Sequence, residues 1–191
     1  PSLVVSSMMS NAPFMIYAGQ ELGEPAADAE GFSGADGRTT IFDYWSIPTV
    51  RRWLNNGKAD GGESTPAERS LRDMYKKVLR LLNSEPALYE GEFFDVMYVN
   101  FNNPRFSPHH NYAFLRHHGD TTLVVAVNFS DKPVQLQINI PQLAFDMMHI
   151  EPGKRMATEL ISGRRQAKTL SADTPFETQL APWGAVVWKL K

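Results

Sequence analysis

Short apolar–polar alternations broken by turn residues fill the chain from about residue 88 to its end, and they constrain the fold most. Val134, Leu136, Ile138 and Ile140 alternate with Gln135, Gln137 and Asn139. A two-residue period puts the apolar set on one face of a strand and the amides on the other. That suits a sheet with one wet face. Similar runs occupy 93–99, 112–116, 122–129, 134–140, 156–161, 166–170, 176–180 and 185–190. Turn signals separate them, among them Asn102-Asn103-Pro104, His118-Gly119-Asp120, Ser130-Asp131-Lys132-Pro133 and Pro182-Trp183-Gly184. Strands this short with turns at this spacing predict an antiparallel β-sandwich over residues 87–191.

Residues 1–86 read differently. Thr65-Pro66-Ala67-Glu68 is a helix start, with Thr65 as cap, Pro66 in the first turn and Glu68 completing a capping box. Leu71, Met74, Tyr75, Val78, Leu79 and Leu82 then fall on one helical stripe, and Asn83-Ser84-Glu85-Pro86 ends it. Pro48 to Asn56 suits a shorter helix with Gly57 as its stop. Upstream, the apolar run Phe14 to Ala18 lies between Pro13 and Gly19 and reads as a strand buried on both faces, as in a parallel sheet. Gln20-Glu21 follows at once. Polar residues just past such a strand are where barrel enzymes place substrate-facing groups; a solvated strand end is the plainer alternative. Residues 22–44 form a long acidic loop without periodicity, holding Glu24, Asp28, Glu30 and Asp36 before Arg38. Loops this long are uncommon unless functional or disordered.

Partners are narrowed by charge. The 191 residues carry a formal net charge of -2 with basic residues scattered, so neither nucleic acid nor an anionic membrane is an expected partner. No cysteine is present, which rules out disulfides and thiolate metal sites. No apolar run approaches the ~20 residues of a membrane span. The N-terminus has neither an initiator Met nor a signal-peptide shape, and the compartment stays open. His109-His110 and His117-His118 are adjacent pairs whose side chains would point to opposite faces of a strand. They read as solvated histidines, and no metal site is expected.

The wording Pro-Phe-Met-Ile-Tyr-Ala-Gly-Gln-Glu-Leu-Gly at 13–23 closely resembles the eighth-strand segment of the α-amylase family, glycoside hydrolase family 13. Arg38-Thr39-Thr40-Ile41-Phe42-Asp43-Tyr44-Trp45 is loosely similar to an arginine-containing motif that follows that strand in several members, its downstream residues departing from the pattern. Asn111 to Arg116, then Thr122 to Ser130, looks like the first hairpin of the family's C-terminal sandwich, and Leu180 to Trp188 like its last turn and strand.

The resemblance implies a mixed α and β chain. Residues 1–86 would be the end of a catalytic (β/α)8 barrel, with strand eight, a long loop and helix eight, and residues 87–191 a C-terminal sandwich. It implies a parent that cleaves or transfers α-glucosidic bonds with retention. The catalytic Asp, Glu and Asp follow strands four, five and seven in the family, all expected upstream of Pro1, so no catalytic residue is carried over. Tyr17, Gln20, Glu21 and Arg38 would lie near the active-site floor or rim, and Tyr44, Trp45 or Trp53 could stack on pyranose rings. The bland reading packs those aromatics onto the barrel. Calcium occurs in some members and the acidic loop could offer oxygens, but no cofactor is expected in this chain. An α-glucan is the implied partner. Exposed apolar surface on a barrel fragment would also favour self-association. Two other readings remain: a carbohydrate-binding module with Trp183, Trp188, Tyr98 or Tyr112 as stacking platform, and a purely structural domain.

Overall fold

The structure is a computed structural model that describes residues 1–25 and 47–191. Two compact units emerge: Pro13–Leu79, and Pro1–Ala12 together with Arg80–Lys191, the division falling within one helix. Among the described residues no helix is long and apolar enough to cross a membrane.

The 13–79 unit holds helix α2 (Pro48–Leu54) and most of α3 (Pro66–Ser84), and it begins with residues of no regular structure. The capping box at the start of α3 is formed: Glu68 N–H donates to Thr65 Oγ1 at 3.2 Å, and Thr65 N–H donates to the Glu68 carboxylate at 2.9 Å. Arg52 from α2 adds a forked ion pair to the same carboxylate, which holds the Glu68 carboxyl below its ordinary range. α2 stops two residues earlier than the spacing suggests, because Asn55 turns left-handed at φ 44°. On the α3 stripe, Tyr75 and Val78 are buried while Leu71 is 37% exposed.

The segment Phe14–Ala18 carries no strand here, contrary to the pattern. Met15 is 82% exposed and Tyr17 47%. A strand buried on both faces needs parallel neighbours to complete its ladder. The sheets of the described residues are antiparallel, and none of their strands pairs with this segment.

In the other unit, α1 (Ser2–Met8) and α4 (Pro86–Tyr89) accompany eight strands: β1 (Glu92–Asp95), β2 (Asn111–His118), β3 (Thr121–Asn128), β4 (Val134–Ile138), β5 (Gly153–Glu159), β6 (Arg165–Leu170), β7 (Phe176–Leu180) and β8 (Ala185–Leu190). One six-stranded sheet runs β1-β2-β3-β8-β5-β6, and β4-β7 forms a second. The inner faces of both sheets share one core that includes Leu115, Val124, Leu136, Ile138, Phe176 and Trp188. Each such side chain stabilises the fold by about 1.5–3 kcal/mol through burial. The anticipated mainly antiparallel sandwich is therefore present.

Two short helices interrupt the pattern. The expected strand at 93–99 ends at Asp95, whose carboxylate accepts the N–H of Met97 at 2.6 Å and opens helix α5 (Met97–Asn100). Gln142–Met148 is helix α6, with Ala144, Phe145 and Met148 on its buried face.

β2 and β3 lack alternation because they are buried on both faces. Ala113 and Leu115 enter the sandwich core, while Phe114 and Arg116 point to the other side. Arg116 is 1% exposed. Its guanidinium donates to the carbonyls of Ala87 at 3.0 Å, Leu88 at 3.0 Å, Gly91 at 2.8 Å and Met9 at 3.4 Å, and to the side-chain oxygen of Asn11. Gly91 has no substitute: a Cβ there would lie 2.3 Å from the Ala87 oxygen. We expect Arg116→Met to leave these buried carbonyls without donors and to cost about 3 kcal/mol or more. The urea midpoint of the chain should fall accordingly, and an unchanged midpoint would refute the anchoring role.

Candidate functional site

The polar pair predicted to face substrate sits on a tight turn. Gly19 at φ 81° and Gly23 at φ 74° bracket a single 3-10 turn, Gln20–Leu22. Both glycines occupy the left-handed region that other residues avoid. The Gln20 side chain is held at both ends: its Oε1 accepts the Tyr17 N–H at 3.1 Å, and its Nε2 donates to the Tyr75 hydroxyl at 3.0 Å. Behind the turn, the Glu24 carboxylate accepts from the Thr49 hydroxyl at 2.6 Å. Tyr17 and Gln20 are thus brought together on an exposed edge, with Glu21 half-buried beside them. Leu22 is the buried foot of the turn.

Arg38, Tyr44 and Trp45 lie outside the described residues, as do Asp28, Glu30 and Asp36. Trp53 is half-buried, with the Arg72 guanidinium 4.9 Å above its ring, which is the packing alternative rather than an open platform. Tyr75 and Glu24 take part in the turn without having been singled out for it. Tyr75 looked like one more apolar residue of the α3 stripe; its hydroxyl was the available signal.

The sandwich aromatics separate clearly. Trp188 is fully buried, donating Nε1–H to Thr178 Oγ1 at 2.9 Å, so it cannot stack on a sugar. Tyr112 donates to Asp95 at 3.0 Å, and burial with that partner raises its phenol pKa. Tyr98 and Trp183 are each 59% exposed. Trp183 adopts φ 52° in the β7–β8 turn.

His117 also departs from expectation. Instead of being solvated it is 9% exposed, and its Nδ1 lies 2.9 Å from the Thr122 hydroxyl. Its neighbours across β1 and β3 cover the ring, and burial lowers its pKa from the ordinary 6.5. Among the described residues no group of three or more His, Asp or Glu side chains is placed to hold a metal ion.

No protein-family model and no curated protein matches this sequence. Solved structures do share its fold. AmyP in complex with maltose aligns over 97% of this chain and 33% of its own, at 15% identity and a TM-score of 0.60. A maltogenic α-amylase, AmyB from Thermotoga neapolitana, aligns over 98% of this chain and 35% of its own, at 11% identity and 0.59. The isomaltulose synthase of a Klebsiella species aligns over 100% of this chain and 37% of its own, at 21% identity and 0.51. The chain spans about a third of the length of these structures.

Two substitutions test this geometry. Gly19→Ala would strain the left-handed residue and bring its Cβ to 2.9 Å from the Glu24 Cβ. A cost of about 1–2 kcal/mol is expected, read as roughly 5- to 30-fold faster amide exchange at Leu22 and Gly23; unchanged exchange would show the turn to be unimportant. For His117, the folded pKa is below the unfolded value of 6.5. Below that pH the unfolded chain takes up the proton more readily. The contribution of the neutral ring is therefore complete above pH 6.5 and lost as pH falls through the lowered folded value. His117→Gln should flatten the fall in stability between about pH 7 and 5, measured by urea unfolding. An unaltered pH slope would assign that fall to other groups.

Proposed function

From the premise that this chain shares the fold of about a third of several solved α-amylase-family structures, we propose that it is the C-terminal portion of a retaining, α-glucan-active glycoside hydrolase. Residues 1–86 would be the end of the catalytic barrel and 87–191 the sandwich domain. One observation carries the reading: nearly the whole chain superposes on about a third of AmyP; the wording of the 13–23 segment, which resembles that family's eighth strand, supports it.

A retaining mechanism needs two carboxyl groups about 5 Å apart, one attacking the anomeric carbon and one protonating the leaving oxygen. In this reading they belong to the rest of the barrel. The present residues bind: Tyr17, Gln20 and Glu21 on the turn, with Arg38, Tyr44 and Trp45 from the following loop, would receive sugar hydroxyls and ring faces. The chain by itself would be inactive. Exposed Met15, Tyr17 and Leu71 would cause it to self-associate when separated from the barrel.

A second reading, a non-catalytic carbohydrate-binding or structural module, is favoured by a different observation. Trp183 presents its indole at a left-handed position, where a bulky residue is disfavoured.

The coding sequence upstream of the Pro1 codon decides between them. An open frame should encode a barrel with Asp, Glu and Asp after strands four, five and seven. The full-length product should release the α-anomer first from maltotriose, followed by NMR. A stop codon upstream, or a β-anomer product, would overturn the retaining-hydrolase reading. Retention of the chain on insoluble starch, lost in Trp183→Ala, would then support the binding module.

A further inference from the structure

A cleft of about 350 Å³ opens in the sandwich unit beside β6 and β7. The proposed function makes no use of it. Arg164, Gln166 and Lys168 reach it from alternate positions along β6 and the residue before it, which share a face. Arg105 enters from the loop before β2.

Lys168 lies deep, 9% exposed. Its Nζ donates to the Glu177 backbone carbonyl and stands 4.6 Å above the Trp188 ring, with the Phe176 ring at 5.4 Å. An ammonium has three N–H donors. Among the described residues a single hydrogen-bond acceptor is in place for them. The Arg164 guanidinium is 5.0 Å from the same Trp188 ring. Burial, and then the charge of Arg164, both lower the Lys168 pKa. Neither Arg105 nor Arg164 has an ion pair among the described residues. The cleft's carboxylate, Glu177, already accepts from the Gln137 amide at 3.0 Å.

Three cations thus surround one engaged carboxylate, in a chain whose overall net charge is -2. We propose that this cleft binds a phosphate group, free or carried on a small sugar ester. A dianion would offset the repulsion between Arg164 and Lys168 and accept the remaining ammonium protons. Arginine forks match phosphate oxygens in pairs. The amides of Gln166 and Gln179 line the same space and can donate to ester or sugar hydroxyl oxygens. The volume is within the range of small-ligand sites.

Calorimetric titration of the full chain tests this, using inorganic phosphate and glucose 1-phosphate against sodium chloride of matched ionic strength. Saturable binding of one equivalent is expected. Arg164→Gln and Arg105→Gln, both at exposed positions, should each weaken it at least tenfold while the unliganded variants stay folded, as read by a cooperative thermal transition. Equal affinity for both probes identifies phosphate itself as the ligand; binding of the ester alone identifies a sugar phosphate. No heat beyond the chloride control, or affinity unchanged in both arginine variants, overturns the proposal. Lys168→Met should abolish binding as well, but its buried position makes the arginine variants the deciding ones. The outcome is independent of whether the chain belongs to a glycosidase.

Discussion

A single buried guanidinium ties together segments that are far apart in sequence. Arg116 stands on β2, yet its partners come from residues 9–11 and 87–91. All are neutral oxygens. A charge in that position is tolerated because several dipoles converge on it and satisfy its donors. Lysine would not serve equally: its ammonium is a point with three donors, whereas the planar fork reaches acceptors in several directions. Burial still lowers the Arg116 pKa. The arrangement dictates its neighbours. Gly91 must be glycine, since its backbone runs against Ala87 and His117. Asn11 must carry an amide, which donates to the Gly91 carbonyl while its oxygen receives Arg116.

The same device, a polar side chain standing in for backbone partners, recurs at the sandwich corners. Asn128 is fully buried and donates to the carbonyls of Lys132 and Ala181. Asn100 donates to the Val96 and Asn139 carbonyls and accepts the Asn139 N–H. The Glu159 carboxylate accepts three backbone N–H groups, from Ile161, Ser162 and Val187. Loops leave ladder groups unpaired, and buried unpaired groups are costly. These side chains remove that cost and hold the loops in place. The Trp183 turn is held partly this way: the Asn128 amide donates to the Ala181 carbonyl, while the Ser130 backbone carbonyl accepts the Trp183 N–H. The positive φ of Trp183 is maintained by this surrounding framework.

What the sequence disclosed follows from where its signals are local. Short apolar runs, alternating in β4 and continuous in β2 and β3, together with turn residues located the strands of the sandwich, and Thr65 with Glu68 located the start of α3, because period, turn chemistry and capping depend on neighbours a few residues away. The run 14–18 forms no strand here because an apolar stretch states that burial is wanted without stating what supplies it. α6 went unnoticed because Gln142–Met148 is short, and its apolar face of Ala144, Phe145 and Met148 fits more than one pattern. His117 looked exposed beside a turn, yet pairing with Glu92 and Thr122 across two strands covers it. The cationic cleft was likewise invisible. Arg105, Arg164 and Lys168 are scattered along the chain, and only the packing of β6 beside β7 gathers them.

In the proposed reading, the candidate turn at 17–24 divides binding from bond-breaking along one chain. Gln20 is fixed at both ends of its amide, and Glu24 is committed to Thr49. Groups so engaged orient a ligand well, since their geometry is set before the ligand arrives. They are poorly suited to proton transfer, which calls for a carboxyl held in a site that raises its pKa. In the proposed reading this division has a purpose. Residues that receive the sugar come from the end of the barrel, and carboxylates that act on the bond come from strands before it. Each half then gains chemical meaning only where both meet the same ring.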